Sequence, residues 1–483
     1  MKTDWNGKRV IILGGARQGQ AAARWLARHG AVVTVNDRHA AERMTEARSA
    51  LADVSVTWVL GGHPLEILDT ADLLCLSGGI PLDNPLVVEA VKRGLPLTND
   101  TQLFMEAVPC RTVGITGSAG KTTTTSLLGE MARNAESGIQ NDESGTMNAE
   151  AQIHNSAFRI RHSYIGGNIG DPLLNYVDEM QPDDLAILEI SSFQLEQMTL
   201  SPDVAAVLNI TPNHLDRHGT MEAYTAAKRR ILDFQENRDV AVLCREDAGS
   251  WALREQVKGS LVSFGFGKLP AGQDGTFLAD SILHMRQRDV EIPLLRQDQI
   301  PLRGAHNTLN FLAAFAIGLA TGLPLDGMLT AAESFKGVAH RLEFVREWHG
   351  ARWYNDSIAT APERTMAAIH SFTEPLVLLL GGRDKNLPWD ELARLVHQRV
   401  EHVVLFGEAA EKIQAALEAD KGPDDRTRSV RSCKSLGEAV QLAANVAEPG
   451  CVVLLSPGGT SFDQFTDFEE RGEAFRKWVS DLS

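Results

Sequence analysis

The sequence predicts a mixed α/β protein built as three domains in series, each with a mainly parallel sheet covered by helices. Three observations carry this. Short, fully apolar runs recur along the chain, as parallel strands buried on both faces require. Nearly all of them end in a glycine or a polar loop, and amphipathic helix patterns separate them, which is the doubly wound arrangement. The 483 residues leave room for two to four domains of ordinary size.

The first run, "RVIIL", leads into "GGARQG", the helix pattern "QAAARWLARHG" and a second strand, "AVVTVND", that ends at Asp37. This is a βαβ unit with a glycine-rich first turn. "ADLLCLSGGI" and "LVVEAVKRGLPLTND" extend the same domain, placed at residues 1–107. A new unit opens at "RTVGITGSAGKTTTTSLLGEMAR" and continues through "DLAILEISS" and "VAAVLNITPNHLD", giving a central domain at 108–337. A third set, at 338–483, contains "EPLVLLLGGRDKN", "HVVLFG" and "GCVVLLSPGGTSFDQF". Residues 134–163 break the pattern. They are polar and poor in apolar side chains, so a mobile excursion is expected there.

Bulk properties exclude several function classes. Hydrophobic residues make up 43% and charged residues 23%, which is ordinary for a globular chain. The formal net charge of −16 argues against a nucleic-acid or acidic-membrane partner, because phosphate backbones need a basic face. A local basic pocket for a small anion remains compatible with it. Five scattered cysteines form no C-x-x-C pair, so buried free thiols in a reduced, cytoplasmic setting are expected. The N-terminal apolar run is too short for a signal peptide, and no stretch approaches the ~20 apolar residues of a membrane span.

The segment "GSAGKTT" is shorter than the commonest phosphate-loop spacing but keeps its parts. Gly117 and Gly120 let backbone N–H groups face phosphate oxygens, at the positive end of the following helix. Lys121 would reach the β- and γ-phosphates and the Thr122 hydroxyl a magnesium ion. The plain alternative is a glycine turn that caps a helix. Glu189 ends the apolar run "LAILEI", at a strand tip that faces the ligand crevice, where a magnesium ligand is its natural role. A surface glutamate that happens to end a strand is the alternative. "GARQG" is a poor dinucleotide fingerprint, since Ala16 stands where close approach to a pyrophosphate favours glycine. By composition Lys228, in "AYTAAKRRIL", is a surface lysine of a helix, and His214, a lone histidine after a strand tip, is a structural rather than a catalytic residue.

Together, "GITGSAGKTTTT", "GGNIG", "LEISSFQLE", "NITPNHLDRH", "AAKRRIL", "HNTLN", "HRLE", "YNDS" and "LLSPGGTSFDQF" occur in the order seen in the Mur ligases, and the chain resembles that family over nearly its whole length. The resemblance implies a Rossmann-like UDP-binding domain, a central phosphate-loop ATPase-type domain and a C-terminal Rossmann-like domain that brings the amino acid. It implies an ATP-dependent amide ligase that adds glutamate, D-glutamate in the first instance, to UDP-N-acetylmuramoyl-L-alanine through an acyl phosphate, in peptidoglycan precursor synthesis.

By the same resemblance Gly14, Arg17, Gln18, Asp37, Arg38 and Gly79 hold the UDP substrate, with Asn168 and His214 between the two nucleotides. Gly117, Ser118, Gly120, Lys121, Thr122 and Thr123 hold the ATP phosphates. Asn307 and Asn310 lie on the adenine side, Arg341 at the γ-phosphate and Asp356 near the ribose. Magnesium falls to Thr122, Glu189, His214 and Lys228, the lysine as a CO₂-derived carbamate, since a free ammonium would repel the ion. Lys121, Glu189, His214 and Lys228 are the implied catalytic set. Thr360, Lys385, Ser461 and Phe468 match the glutamate pocket.

The implied partners are small molecules only, with the chain a cytoplasmic monomer. One departure stands out: Ile358 occupies a position where the family usually has lysine, which leaves L-glutamate open as an alternative substrate. A folylpolyglutamate synthase-like ligase would share the phosphate loop, but the N-terminal domain argues against it. A kinase or phosphatase would not explain the third domain. A catalytically silent scaffold would not need Lys121, Glu189, His214, Lys228, Arg341 and Asp356 together.

Overall fold

A computed structural model describes residues 3–138, 160–422 and 425–482. The described chain forms two compact units. One comprises the residues up to Ile300 together with Ala305–Phe335; the other comprises Pro301–Gly304 and Lys336–Ser483.

The first unit holds two sheets. In the N-terminal sheet β1 (Arg9–Leu13), β2 (Val32–Asp37), β3 (Val56–Leu60), β4 (Leu73–Leu76) and β5 (Leu97–Asn99) run parallel in the order β3-β2-β1-β4-β5. The order reverses between β1 and β4, and that switch point opens a crevice at the strands' C-terminal ends. The second sheet has nine strands. Its parallel part is β6 (Arg111–Thr116), β7 (Ser163–Gly167), β8 (Leu185–Glu189), β9 (Val204–Val207), β10 (Val240–Cys244), β11 (Ser260–Phe266) and β12 (Asp274–Ala279). β13 (Ile282–Gln287) and β14 (Val290–Arg296) add an antiparallel edge. The order is β14-β13-β12-β11-β10-β9-β6-β8-β7, so β6 sits between β8 and β9.

The apolar runs are buried as their lack of alternation predicts. All five residues of β8 and all four of β9 are buried. The helix Ala305–Thr321 is apolar nearly all round, and residues 311–317 are fully buried where it packs on the sheet and on the helix Lys121–Gly138. "SSFQLE" forms a joint between the first two sheets. Ser191 and Gln194 make a reciprocal capping box on a single turn, Ser192–Leu195. Gln194 Nε2 then donates to Thr101 Oγ1 at 2.8 Å, and Asn99 Nδ2 donates to the Gln194 carbonyl at 2.8 Å.

The second unit has one sheet, with β15 (Glu343–Trp348) antiparallel at its edge and β16 (Ala351–Asn355), β17 (Leu376–Gly381), β18 (Val400–Phe406), β19 (Ser429–Ser432) and β20 (Val452–Gly458) parallel. The order is β15-β16-β20-β17-β18-β19, which puts a switch point beside β20. Among the described residues, no helix is long and apolar enough to cross a membrane, and the five cysteines are free.

Most of the polar excursion expected at 134–163 lies outside the described residues. Its first residues differ from that expectation: the helix from Lys121 continues to Gly138, Asn134 Nδ2 donates to the Gly327 carbonyl, and Glu136 accepts the Ser163 N–H at 2.7 Å.

Candidate active site

The phosphate-loop segment joins β6 to the helix that starts at Lys121. Gly120 has φ +84°, and a Cβ there would stand 2.3 Å from Asn310 Oδ1, so both backbone and space require glycine. The loop after β9 clasps it. Asn209 Oδ1 accepts the Ala119 N–H at 2.8 Å while Asn209 Nδ2 donates to the Ala119 carbonyl at 3.0 Å. Ser118 Oγ donates to the Thr211 carbonyl at 2.9 Å and lies 3.0 Å from the Tyr224 hydroxyl. Lys121 Nζ donates to the Gly117 carbonyl at 2.9 Å, which folds the ammonium back over the loop. Asn310 Nδ2 donates to Asn307 Oδ1 at 3.1 Å, so these two predicted residues form one pair beside Gly120.

Glu189 is the last residue of β8 and is 2% exposed. Asn168 Nδ2 donates to its Oε1 at 3.0 Å, and the Asn168 N–H donates to its carbonyl at 2.8 Å. Glu189 Oε2 is buried with no hydrogen-bond partner among the described residues. A buried, half-satisfied carboxylate calls for a cation.

Lys228 corrects the surface reading drawn from composition. It is 1% exposed, lies over the Tyr224 ring, and donates to Thr116 Oγ1 at 3.4 Å. Burial first, and the Lys121 charge second, push its ammonium down to about 6, with Glu189 opposing. Lys121, Lys228, Glu189 and Asn168 thus meet at the tips of β6 and β8.

His214 sits just beyond, exposed, in a left-handed conformation (φ 53°) at the start of the turn Leu215–His218, with its ring edge-on to Phe193. That turn is anchored from behind. His218 Nε2 is 2.9 Å from Ser192 Oγ and its Nδ1 is 3.1 Å from Glu196 Oε1.

The expected magnesium ligands are oxygen-rich, as a hard cation prefers. Among the described residues no three His, Cys, Asp or Glu side chains gather as a metal cluster. The buried Glu189 oxygen, with no partner among the described residues, fits a hard cation.

At the N-terminal switch point Gly14 (φ +96°) turns the chain between β1 and its helix, and Asp37 braces that turn. Asp37 Oδ2 accepts the Gly15 N–H at 2.9 Å and Oδ1 accepts the His39 N–H at 2.9 Å. Partial burial works against its charge, yet these donors and the His39 ring hold the carboxyl below the usual range. Gln18 Oε1 accepts the Gly78 N–H at 2.9 Å, which fixes the loop carrying Gly79. Arg17 and Arg38 are exposed on the same rim. Arg217 Nη2 reaches the Ile80 carbonyl from the central domain.

In the second unit the loops after β16, β17 and β20 converge. Arg383 and Thr460 exchange backbone hydrogen bonds at 2.8 Å each, and the Gly458 N–H donates to the Ala359 carbonyl. Lys385 Nζ donates to Thr360 Oγ1 at 3.3 Å. Ser461 is buried, and Phe468 opens the C-terminal helix, its carbonyl accepting from Ser357 Oγ at 2.8 Å. Asp356 is 5% exposed; burial pushes its carboxyl up to about 7, against the Ser456 hydroxyl, the Leu342 N–H and the nearby Arg341. Arg341 stands between His340 (φ 63°) and Leu342 (φ 44°), a left-handed turn that costs free energy and fixes its direction.

Residue spacing did not point to Asn209, Tyr224, His218 or Arg471. Arg471 is fully buried and donates to Ser357 Oγ, the Ser357 carbonyl and the Gly459 carbonyl, tying two of the converging loops together.

Three family descriptions match in chain order: "Mur ligase MurD-like, N-terminal domain" at residues 8–99, "Mur ligase middle domain" at 115–318, and "Mur ligase, glutamate ligase domain" at 340–459. A UDP-N-acetylmuramoylalanine–D-glutamate ligase of Symbiobacterium thermophilum is 37% identical over 99% of this chain and 98% of its own length. The chain belongs to the Mur ligase family. A ligase of the same name from Acidobacterium capsulatum is 38% identical over 98% of this Mur ligase and 96% of its own length. Among solved structures, the UDP-N-acetylmuramate-alanine ligase of Thermotoga maritima aligns with TM-score 0.54 at 18% identity, covering 98% of this chain and all of that one. MurF of Acinetobacter baumannii aligns with TM-score 0.53 at 16% identity, covering 97% and 93%. At such identities these two structures speak for the fold alone, three α/β domains in series.

Proposed function

We propose that this Mur ligase joins D-glutamate to UDP-N-acetylmuramoyl-L-alanine at the expense of ATP, in peptidoglycan precursor synthesis. The observation that carries the reading is the meeting of Lys121, Lys228 and Glu189 at the tips of β6 and β8, beside a glycine loop that opens a helix. The full-length relatives, which bear that reaction's name, support it.

A carboxylate is a poor acyl donor until one of its oxygens can leave. The alanine carboxylate attacks the γ-phosphorus, the bond to the β-bridging oxygen breaks, and ADP departs. The glutamate amine then adds to the acyl carbon, loses a proton, and phosphate leaves as the amide forms. The protein's part is positioning and charge neutralisation. Lys121 neutralises the β- and γ-phosphates, and backbone N–H groups of 117–123 cradle them. Asn168 orients Glu189.

A lysine pushed down to about 6 is largely the neutral amine at pH 7, the form that reacts with CO₂. This supports a carbamate on Lys228, which with Glu189, Thr122 and His214 would hold magnesium. When bound, the ion screens the phosphate charge. Gly14, Arg17, Gln18, Asp37, Arg38 and Gly79 are assigned to the UDP moiety, Asn307, Asn310, Arg341 and Asp356 to ATP, and Thr360, Lys385, Ser461 and Phe468 to glutamate. The chain works as a cytoplasmic monomer in this reading.

The test incubates the purified protein with ATP, UDP-N-acetylmuramoyl-L-alanine and either glutamate enantiomer, with mass detection of the product. A glutamyl amide formed with release of ADP and phosphate is expected. Phosphate release without an amide would overturn the ligase reading.

A further inference from the structure

Glutamate carries two carboxylates, and each must exchange water for protein donors, so each calls for a cation or several N–H groups. Of the residues assigned to the amino-acid pocket only Lys385 is charged. Thr360, Ser461 and Phe468 are neutral, and Ile358, on the same loop, offers an aliphatic chain. One carboxylate is left without a counter-charge.

Arg364 stands in the first turns of the helix Pro362–His370. Its Nη1 donates to the Ile358 carbonyl at 3.3 Å, and that carbonyl also accepts the Thr360 N–H at 2.9 Å. The guanidinium is therefore folded back onto the loop that presents Thr360, and Lys385 is bonded to that same threonine. Arg364 also lies near enough to Lys385 that its charge, after burial, helps to lower the lysine's pKa, with Glu363 opposing. The residue is exposed, so its remaining donors are open to an incoming anion.

We propose that Arg364 is the second cation of the amino-acid pocket and grips the side-chain carboxylate of glutamate, leaving the α-carboxylate to Lys385 and Thr360. The division follows from rigidity. Lys385 and Thr360 hold one another in place, which suits the carboxylate next to the attacking amine, where a small displacement costs rate. Arg364 is longer and more exposed, and its planar fork matches a terminal carboxylate. Two fixed points of opposite reach select a dicarboxylic amino acid over its amide. The inference rests on the glutamate-ligase reading above.

Kinetics of Arg364→Met and Arg364→Lys in the full-length protein test it, using the glutamate enantiomer that the wild type ligates. Glutamine of the same hand serves as the uncharged comparison, its affinity read by competition. Arg364→Met should raise KM for glutamate on the order of 10- to 100-fold. Its kcat should change little, KM for ATP and for the UDP substrate should stay within about twofold, and affinity for glutamine should not move. Arg364→Lys should recover part of the loss. An unchanged KM for glutamate, or equal losses for glutamate and glutamine, would overturn the proposal. A wild type that ligates neither enantiomer sinks the ligase reading and this inference with it. A wild type that ligates glutamate, with Arg364→Met unaffected, sinks this inference alone.

Discussion

Lys228 and Lys385, one in each compact unit, show two opposite ways to use the same side chain. Lys228 is 1% exposed and pushed down to about 6 by burial and by Lys121. Lys385 is exposed on a loop, its ammonium lowered by partial burial and by Arg364, and it is bonded to a neutral hydroxyl, Thr360. The protein sets the charge state of the first before any substrate arrives. It leaves the second exposed, beside a hydroxyl and an arginine. A buried amine can become something else; an exposed ammonium is a counter-charge.

The largest effect should come from removing Lys121, the cation that depresses Lys228 and that the proposed reaction assigns to the ATP phosphates. Lys121→Met is expected to lower kcat by about 10²–10³-fold or more while the fold survives. Circular dichroism and thermal melting check the fold, and ADP release checks turnover. Near-normal turnover in a folded variant would remove the phosphate-loop assignment.

Lys228→Ala comes next. Nucleotide binding should stay nearly intact, measured by titration calorimetry, while acyl-phosphate formation falls by about 100-fold. Rigorous CO₂ depletion should lower wild-type activity and bicarbonate should restore it. Indifference of the wild type to CO₂, joined to an active alanine variant, would reduce Lys228 to a buried helix residue and erase the contrast with Lys385.

How much of this was legible follows from what each residue's neighbours are. The strands were readable because buried parallel strands leave an unbroken apolar run, as in β8 and β9. The glycine turn before the helix from Lys121 was readable because its backbone, at Gly120, dictates residue type. Lys228 was not, on composition, because a lysine's burial depends on what the fold lays over it; here Thr116 comes from a strand far back in the sequence, and Tyr224 lies one turn earlier on the same helix. Asn209 and Arg471 were invisible for the same reason. Each ties loops far apart in sequence, and a lone asparagine or arginine carries no spacing signal. For Lys228 it was the family resemblance, not the local pattern, that implied a role.

Asp356 gives the second unit its own buried titratable group, and so sharpens the comparison. Its carboxyl, ordinarily near 3.8, is pushed up to about 7 in the fold. A raised carboxyl keeps its proton in the native state after the unfolded chain has lost it. Its contribution to stability is therefore full below about pH 3.8 and is lost as pH rises through about 7. Asp356→Asn cannot ionise, so its melting temperature should gain on the wild type between pH 4 and pH 8, by roughly a few degrees. Parallel melting curves across that range would show that the carboxyl ionises in the fold as it does in water.

The smallest effect expected is at Ile358, where the two treatments of lysine can be exchanged. The residue is partly buried, its N–H donates to the His340 carbonyl, and its own carbonyl is shared by Thr360 and Arg364. With Lys385 and Arg364 already presenting two cations, a third at this position adds charge without adding a needed partner. Ile358→Lys should therefore leave D-glutamate the preferred enantiomer and change the ratio of kcat/KM for the two enantiomers by less than about tenfold. Stereochemistry is set by where the two carboxylates are gripped while the amine stays in line, and a lysine here would not move either grip. The measurement is the paired-enantiomer assay on both proteins. A wild type that prefers L-glutamate, with Ile358→Lys swinging the preference to D-glutamate, would show the reverse. The loop position itself would then choose the hand of the substrate, and Arg364 would be gripping the opposite enantiomer.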